Sequence, residues 1–313
     1  MNKAERIVLY SVFVLALILL TVFDYSISSS LYNPSSIFGK IFYVGGQAPF
    51  LIFGSFACAL AYFFRPKQSK KMSFWFGFLF LFASIAMALY SGSELAKGVN
   101  RLLGNPWSGF VKVLMYLPFA LPCFLLGFVP AFLLRKHKGH EKEIFVFGFL
   151  AVFYALYILV FTNLLKVIAY RPRFRLLVSL YEGEAIASHW RPWYAWQTFF
   201  CKGNYSADLE SAGVAYKLDD FLSFPSGHTI VAVGVLMIAY FPGLEKKSAW
   251  IRPLCYAYGA IVGLSRIFLG DHNATDSLFG FYLGCAAIDV LFALIKPRFA
   301  AFLERKGASP ISE

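Results

Sequence analysis

The sequence predicts an all-α protein, a polytopic transmembrane helical bundle of about eight spans. Three observations predict it. The 313 residues are 59% hydrophobic and only 15% charged, against about 45–50% and about 25% in an average soluble domain. Apolar runs near the ~20 residues needed to cross a bilayer recur at 7–27, 41–64, 73–91, 110–134, 144–164, 228–244, 253–270 and 276–295. Aromatic residues make up 19% of the chain, 36 of them Phe, which suits a lipid-facing surface with interfacial Tyr and Trp.

The first run, Ile7 to Phe23, is followed by Asp24-Tyr25-Ser26 with no small-x-small cleavage site. It is therefore expected to stay as a span and not to be removed as a signal peptide. With the second run it forms an expected N-terminal transmembrane hairpin, 1–64. The remaining six spans form a second region, 65–313, whose long outer loop covers 165–227. The sixth and seventh runs are short, so their polar ends are expected near the interface. No internal repeat or low-complexity segment stands out.

Loop charges orient the bundle. Arg65, Lys67, Lys70 and Lys71 lie between spans two and three, and Arg135, Lys136, Lys138 and Lys142 between four and five. Lys246, Lys247 and Arg252 lie between six and seven, and Lys296, Arg298, Arg305 and Lys306 follow span eight. With eight spans these segments fall on one side, joined by Lys3 and Arg6, and the positive-inside rule makes that side cytoplasmic. Both termini are then inside. The outer loop carries Lys166, Arg171, Arg173, Arg175, Arg191, Lys202 and Lys217. Long loops weigh little in the rule, and anion binding is the simplest use for this excess. The net charge of +12 lies mostly in these loops, so no nucleic-acid partner is inferred from it. Cys58, Cys123, Cys255 and Cys285 sit inside apolar runs, and Cys201 has no evident partner. Neither a disulfide framework nor zinc spacing is present.

Three segments carry polar residues at points where a membrane protein tolerates them only at a cost. Lys166 to Phe174 places three cations and a helix-stopping Pro172 just after span five. Such a cluster either snorkels to lipid headgroups or clamps a phosphate, with Arg as a planar fork and Lys as a point charge. Ser223-Phe224-Pro225-Ser226-Gly227-His228 opens span six. Ser226 is suited to capping the following helix, and Gly227 lets backbone approach a ligand. A simple cap does not account for His228. The third segment runs Ser265-Arg266, Asp271-His272, then Asp276 at the start of span eight. A carboxylate bonded to one imidazole nitrogen fixes the tautomer and makes the other nitrogen a better nucleophile. Arg266, Lys166 and Arg173 are then expected to neutralise the phosphate oxygens.

Together these segments resemble the signature of the type 2 phosphatidic acid phosphatase (PAP2) and vanadium haloperoxidase superfamily: K-x6-RP, then PSGH, then SR-x5-H-x3-D. The second and third match in full; in the first, Phe174 replaces the final proline. The resemblance covers about 166–276 by motif and the last six spans by topology, so 65–313 is expected to be the family's core. It implies that Lys166, Arg173, Ser226, Gly227 and Arg266 bind phosphate. It further implies that His228 protonates the leaving oxygen, that His272 is the nucleophile and that Asp276 orients it. The implied chemistry is a phosphohistidine intermediate hydrolysed by water, with no metal and no cofactor.

The expected function is a membrane phosphatase acting on a lipid phosphate or diphosphate, such as phosphatidate, phosphatidylglycerol phosphate or a polyprenyl diphosphate. Its site is expected on the extracytoplasmic face, probing membrane lipids as its partners. Phosphotransfer to an alcohol, a sugar-phosphate substrate, and a non-catalytic lipid-binding or transport role are the alternatives. Weaker signals remain. Asp289 lies mid-span as a hydrogen-bonded acid or a relay. The ring-rich stretch His189 to Trp196 reads as an interfacial belt or as a lid over the headgroup. Asp208, Glu210, Asp219 and Asp220 read as a solvated face. The Asn204 and Asn273 glycosylation patterns read as chance.

Overall fold

The computed structural model describes residues 3–66, 69–136, 139–195 and 218–305. Lys67, Lys138, Trp196, Cys201, Lys202, Asn204, Asp208, Glu210, Lys217 and Lys306 lie outside the described residues. The described elements are helical throughout. In order they are α1 (Lys3–Leu31), α2 (Ile37–Gly45), α3 (Ala48–Phe63), α4 (Lys70–Leu102), α5 (Gly109–Leu114), α6 (Tyr116–Leu134) and α7 (Glu141–Tyr157). A π-helical turn, Ile158–Thr162, leads into α8 (Asn163–Ala169), followed by α9 (Phe174–Leu180) and α10 (Glu184–His189). Then come α11 (Gly227–Val233), continued as a 3-10 helix Gly234–Tyr240, α12 (Ser248–Phe268), α13 (Ala274–Val290) and α14 (Lys296–Arg305).

Six helical stretches are long and apolar enough to cross a membrane: Lys3–Leu31, Ile37–Phe63, Lys70–Leu102, Gly109–Leu134, Glu141–Leu180 and Ala274–Arg305. The protein is thus a multi-pass membrane protein built from an all-α bundle. The expected sixth and seventh spans differ from the other six. They form the pair Gly227–Tyr240 and Glu245–Phe268, bent by 119° at a short break. The reason is length: at 1.5 Å per α-helical residue, Gly227–Tyr240 falls short of a ~30 Å hydrocarbon core.

The chain forms two compact units. One comprises Met1–Tyr43, Ile158–Ile230 and Gly259–Gly284; the other comprises Val44–Tyr157, Val231–Tyr258 and Cys285–Glu313. The stretch 1–64 is therefore divided, with α1 in the first unit and α3 in the second. In the second unit α3 forms the centre, burying Phe50, Leu51, Ala57, Cys58, Ala59, Leu60 and Ala61. Lipid supplies no hydrophobic drive between helices, so they associate through close packing and polar pairs. Gly148 of α7 lies so near Ala61 that an added Cβ would come within 2.3 Å of it. Ser55 and Ser84 join α3 to α4 through a buried hydroxyl pair at 3.0 Å.

The first unit holds all the candidate site residues. Its α1 is apolar and largely exposed, with a different burial pattern from an ordinary core helix: the residues it buries are Asp24 and Ser28.

Candidate active site

Backbone hydrogen bonds stitch the three motif segments together. Tyr170, at φ 43°, ends α8 in a left-handed turn, a costly conformation for a non-glycine residue. Pro172 then disfavours helix at Arg171, and the strand-like stretch 171–173 runs across the site. The Ser223 N–H donates to Arg171 C=O (3.1 Å) and the Arg173 N–H to Asp220 C=O (2.8 Å). The Arg175 N–H donates to Gly270 C=O and the Ser226 N–H to Asp276 C=O, both at 3.0 Å. The first and second motifs thus meet directly, and each also meets the third.

His272 sits in the turn between α12 and α13, 1% exposed. Its Nδ1 lies 2.6 Å from the Ser223 carbonyl oxygen. A carbonyl only accepts, so Nδ1 carries the proton. Nε2 is then left with its lone pair, and it is buried with no hydrogen-bond partner among the described residues. Burial first, then the charges of Arg173, Lys166 and Arg266, push the imidazole well below the ordinary histidine value. The ring is held neutral with one nitrogen available, the state a nucleophile needs.

The direct bond expected between Asp276 and His272 is absent, and Ser223 stands between them. Asp276 occupies the third position of α13 and reaches back to the N–H of Asn273 (2.8 Å), one half of a capping box. The same oxygen, Oδ2, accepts from the Ser223 hydroxyl and from Asn273 Nδ2 (3.2 Å). Oδ1 pairs with Arg171 Nη1 at 2.6 Å. A helix N-terminus thus uses the carboxylate that the spacing alone assigns to the imidazole. Asp276 is linked to His272 through Ser223, from whose hydroxyl it accepts and whose carbonyl holds Nδ1.

The basic residues are oriented by carboxylates. Arg173 directs Nη2 at both oxygens of Asp219, Nε at the Asp219 carbonyl and Nη1 at the Asp271 carbonyl, all at 2.8 Å. Partial desolvation works against the charge of Asp219, but Arg173, Lys166 and Arg175 hold its carboxyl below the ordinary aspartate range. Arg266, 1% exposed, pairs with Asp271, which also takes Arg175. The Asp219 pair means that Arg173 is aimed but engaged: an incoming anion competes with a carboxylate for it.

Ser226 accepts from the Thr229 hydroxyl at 2.8 Å and from the Thr229 N–H at 3.4 Å, capping α11 as expected. A Cβ on Gly227 would lie 3.5 Å from Lys166 Nζ, so the lysine ammonium overhangs the glycine backbone. His228 stacks on Tyr43 with ring centroids 6.0 Å apart, and the Arg266 guanidinium lies 4.7 Å from the centroid of the same ring. Ser265, the first residue of its motif, returns its hydroxyl to Val262 C=O within α12 (2.6 Å). The ring-rich loop reaches the site at Trp190, whose indole N–H donates to Asn273 Oδ1 (3.2 Å). Asn273 is fully buried, as the chance reading of its glycosylation pattern expects.

Asp24 and Tyr43 were not foreseen, while Arg171, Ser223 and Asp271 stood within the motif segments without the contacts they make here. A charge at the end of a transmembrane run is the signal that singles out Asp24. A backbone carbonyl such as that of Ser223 leaves no mark in a sequence.

Fold and site define a multi-pass helical membrane protein with a neutral histidine buried among oriented basic side chains. The PAP2 superfamily model matches residues 146–300, a stretch containing all three motifs, and the chain belongs to that superfamily. Over 80 residues it is 41% identical to phosphatidylglycerophosphatase B of Bacillus subtilis (strain 168). That match spans 24% of this chain and 37% of the relative. No solved structure matches the chain.

Proposed function

We propose that this protein is a membrane phosphatase that hydrolyses a lipid phosphate or diphosphate through a phosphohistidine on His272. The observation that carries this is the state of His272: Nδ1–H donates to a carbonyl, while Nε2 is buried without a hydrogen-bond partner among the described residues. In this reading Nε2 attacks phosphorus and the bond from phosphorus to the ester oxygen breaks. His228 donates a proton to the leaving oxygen. Water then gives a proton back to His228 and its oxygen cleaves the phosphorus–nitrogen bond, releasing inorganic phosphate and restoring the neutral ring of His272. Lys166, Arg173 and Arg266 offset the oxygens' charge, and the Ser226-Gly227 backbone lies close against them. Asp276 positions the Ser223 segment.

The apolar helices favour a substrate whose tail stays in the bilayer. Membership of the PAP2 superfamily and the likeness to a phosphatidylglycerophosphatase support a phosphorylated glycerolipid first among the candidates. The concordant basic loops support a site on the extracytoplasmic face with both termini inside. The test is a phosphate-release panel on purified protein: phosphatidylglycerol phosphate, phosphatidate, a polyprenyl diphosphate and a sugar phosphate, with His272→Ala as control. Release from the lipid substrates that His272→Ala abolishes is expected. Release by His272→Ala at the wild-type rate would refute the proposal.

A further inference from the structure

The helix α1 lies before the segment matched by the family model, yet it reaches the site through its two buried side chains, and one of them is charged. Asp24 is fully buried on a helix whose other buried residue is Ser28. Its Oδ2 pairs with Arg171 Nη2 at 2.8 Å and accepts from the Thr275 hydroxyl. Its Oδ1 accepts from the Thr275 N–H at 2.9 Å. Arg171 spends its other end, Nη1, on Asp276 Oδ1 (2.6 Å) and Thr275 Oγ1 (2.8 Å), and its Nε on Arg191 C=O (2.8 Å). One guanidinium therefore bridges two buried carboxylates, one from α1 and one from the first turn of α13.

We propose that Asp24 is a positioning residue of the active site, acting through Arg171 on Asp276 and thence on the Ser223 carbonyl that holds His272. This rests on the phosphohistidine reading above and assigns α1 a part in it. The chain of contacts is continuous: Asp24, Arg171, Asp276, the Ser223 hydroxyl, and the Ser223 carbonyl against Nδ1 of His272. A carboxylate in the apolar face of a spanning helix is costly unless paired. A plain membrane anchor needs no such residue. Asparagine at 24 keeps the shape but turns an amide N–H₂ toward either Arg171 or Thr275, both donors there. Either the guanidinium loses one of its two fixed ends or the Thr275 N–H loses its acceptor, and in both cases the α13 turn that carries His272 and Asp276 loses part of its brace.

The experiment measures kcat and KM for release of phosphate from dioctanoyl phosphatidate in detergent micelles. It compares wild type, Asp24→Asn, Arg171→Gln, the double variant, Ser28→Ala and His272→Ala. Misplacing the nucleophile should lower kcat of Asp24→Asn by about 10- to 100-fold, with KM changed by less than about threefold. The double variant should be no slower than Arg171→Gln alone, because the two residues act in one chain. Ser28→Ala removes another α1 bond to the same turn, that to the Ala274 N–H (3.1 Å), but no charge. It measures what loosening α1 costs by itself, and that cost should be smaller. Equal losses for Asp24→Asn and Ser28→Ala, a loss confined to KM, or additive losses in the double variant would each overturn the proposal. If Asp24→Asn fails to accumulate in the membrane, the double variant decides: it keeps the net charge that Asp24, Arg171 and Asp276 carry together in the wild type, and wild-type activity in it overturns the proposal. Activity in His272→Ala would sink the phosphohistidine reading itself. An inactive His272→Ala beside a fully active Asp24→Asn sinks only the role of Asp24.

Discussion

Replacing Asp276 by asparagine separates two ways of orienting the histidine proposed as nucleophile. Where a carboxylate itself holds the imidazole, the amide replacement imposes the wrong tautomer and costs about 10⁴-fold in rate. In this protein the tautomer is set by the Ser223 carbonyl, which the substitution leaves in place. Asparagine can still present one oxygen to the Ser223 hydroxyl and the Asn273 N–H, which now meet Oδ2. Its amide nitrogen then faces Arg171, where Oδ1 now pairs at 2.6 Å. The loss is one charge-assisted hydrogen bond, about 1.5–3 kcal/mol. Felt entirely in the transition state, that is a fall in kcat of about 10- to 150-fold. The assay is the initial rate of phosphate release from phosphatidate micelles, with thermal stability followed on the same preparations. A loss near 10⁴-fold in a protein as stable as wild type would refute the reasoning and show that Asp276 grips the imidazole directly in the working enzyme.

Three further outcomes are expected. His272, pushed down by burial and by Arg173, Lys166 and Arg266, should stay neutral as pH falls through the ordinary histidine value of about 6.5. Nitrogen-15 NMR of histidine-labelled protein reads this directly, and protonation at or above that value would contradict the site's electrostatics. Asp219→Asn removes the competitor for Arg173; the Asp219 end of the pair is exposed to solvent, which holds its worth to about 1 kcal/mol, so inhibition by inorganic phosphate should tighten by up to about fivefold, and weaker inhibition would show that Asp219 is needed to aim the arginine. Gly280→Ala places a Cβ 2.6 Å from the Ser226 carbonyl oxygen, an overpacking worth about 1–3 kcal/mol, so its melting temperature and phosphate release should both fall, and a variant indistinguishable from wild type would show that α13 and the Ser226 turn are not tightly apposed.

The helices were legible because lipid demands long apolar runs, and each predicted run has a helical counterpart. The bent pair was harder to foresee, since 228–244 and 253–270 have span-like composition but the first helix is too short to cross. Among the site residues, Lys166, Arg173, Ser226, Gly227, His228, Arg266, His272 and Asp276 all fall in one compact unit. Their spacing announced them because each sits at a helix end, where the chain reverses within a few residues and local sequence dictates geometry.

What the sequence determined by itself was therefore the solvent, the helices, and the residue types gathered for phosphate chemistry. Only the tertiary structure decided who touches whom. Spacing assigns Asp276 to His272, but the carboxylate caps its own helix and meets Arg171 and Ser223. Sequence separation hides Asp24, which lies 147 positions from the arginine it pairs with. A buried charge must find its counter-charge wherever the fold brings one, and a backbone carbonyl can hold a histidine whatever side chain stands above it.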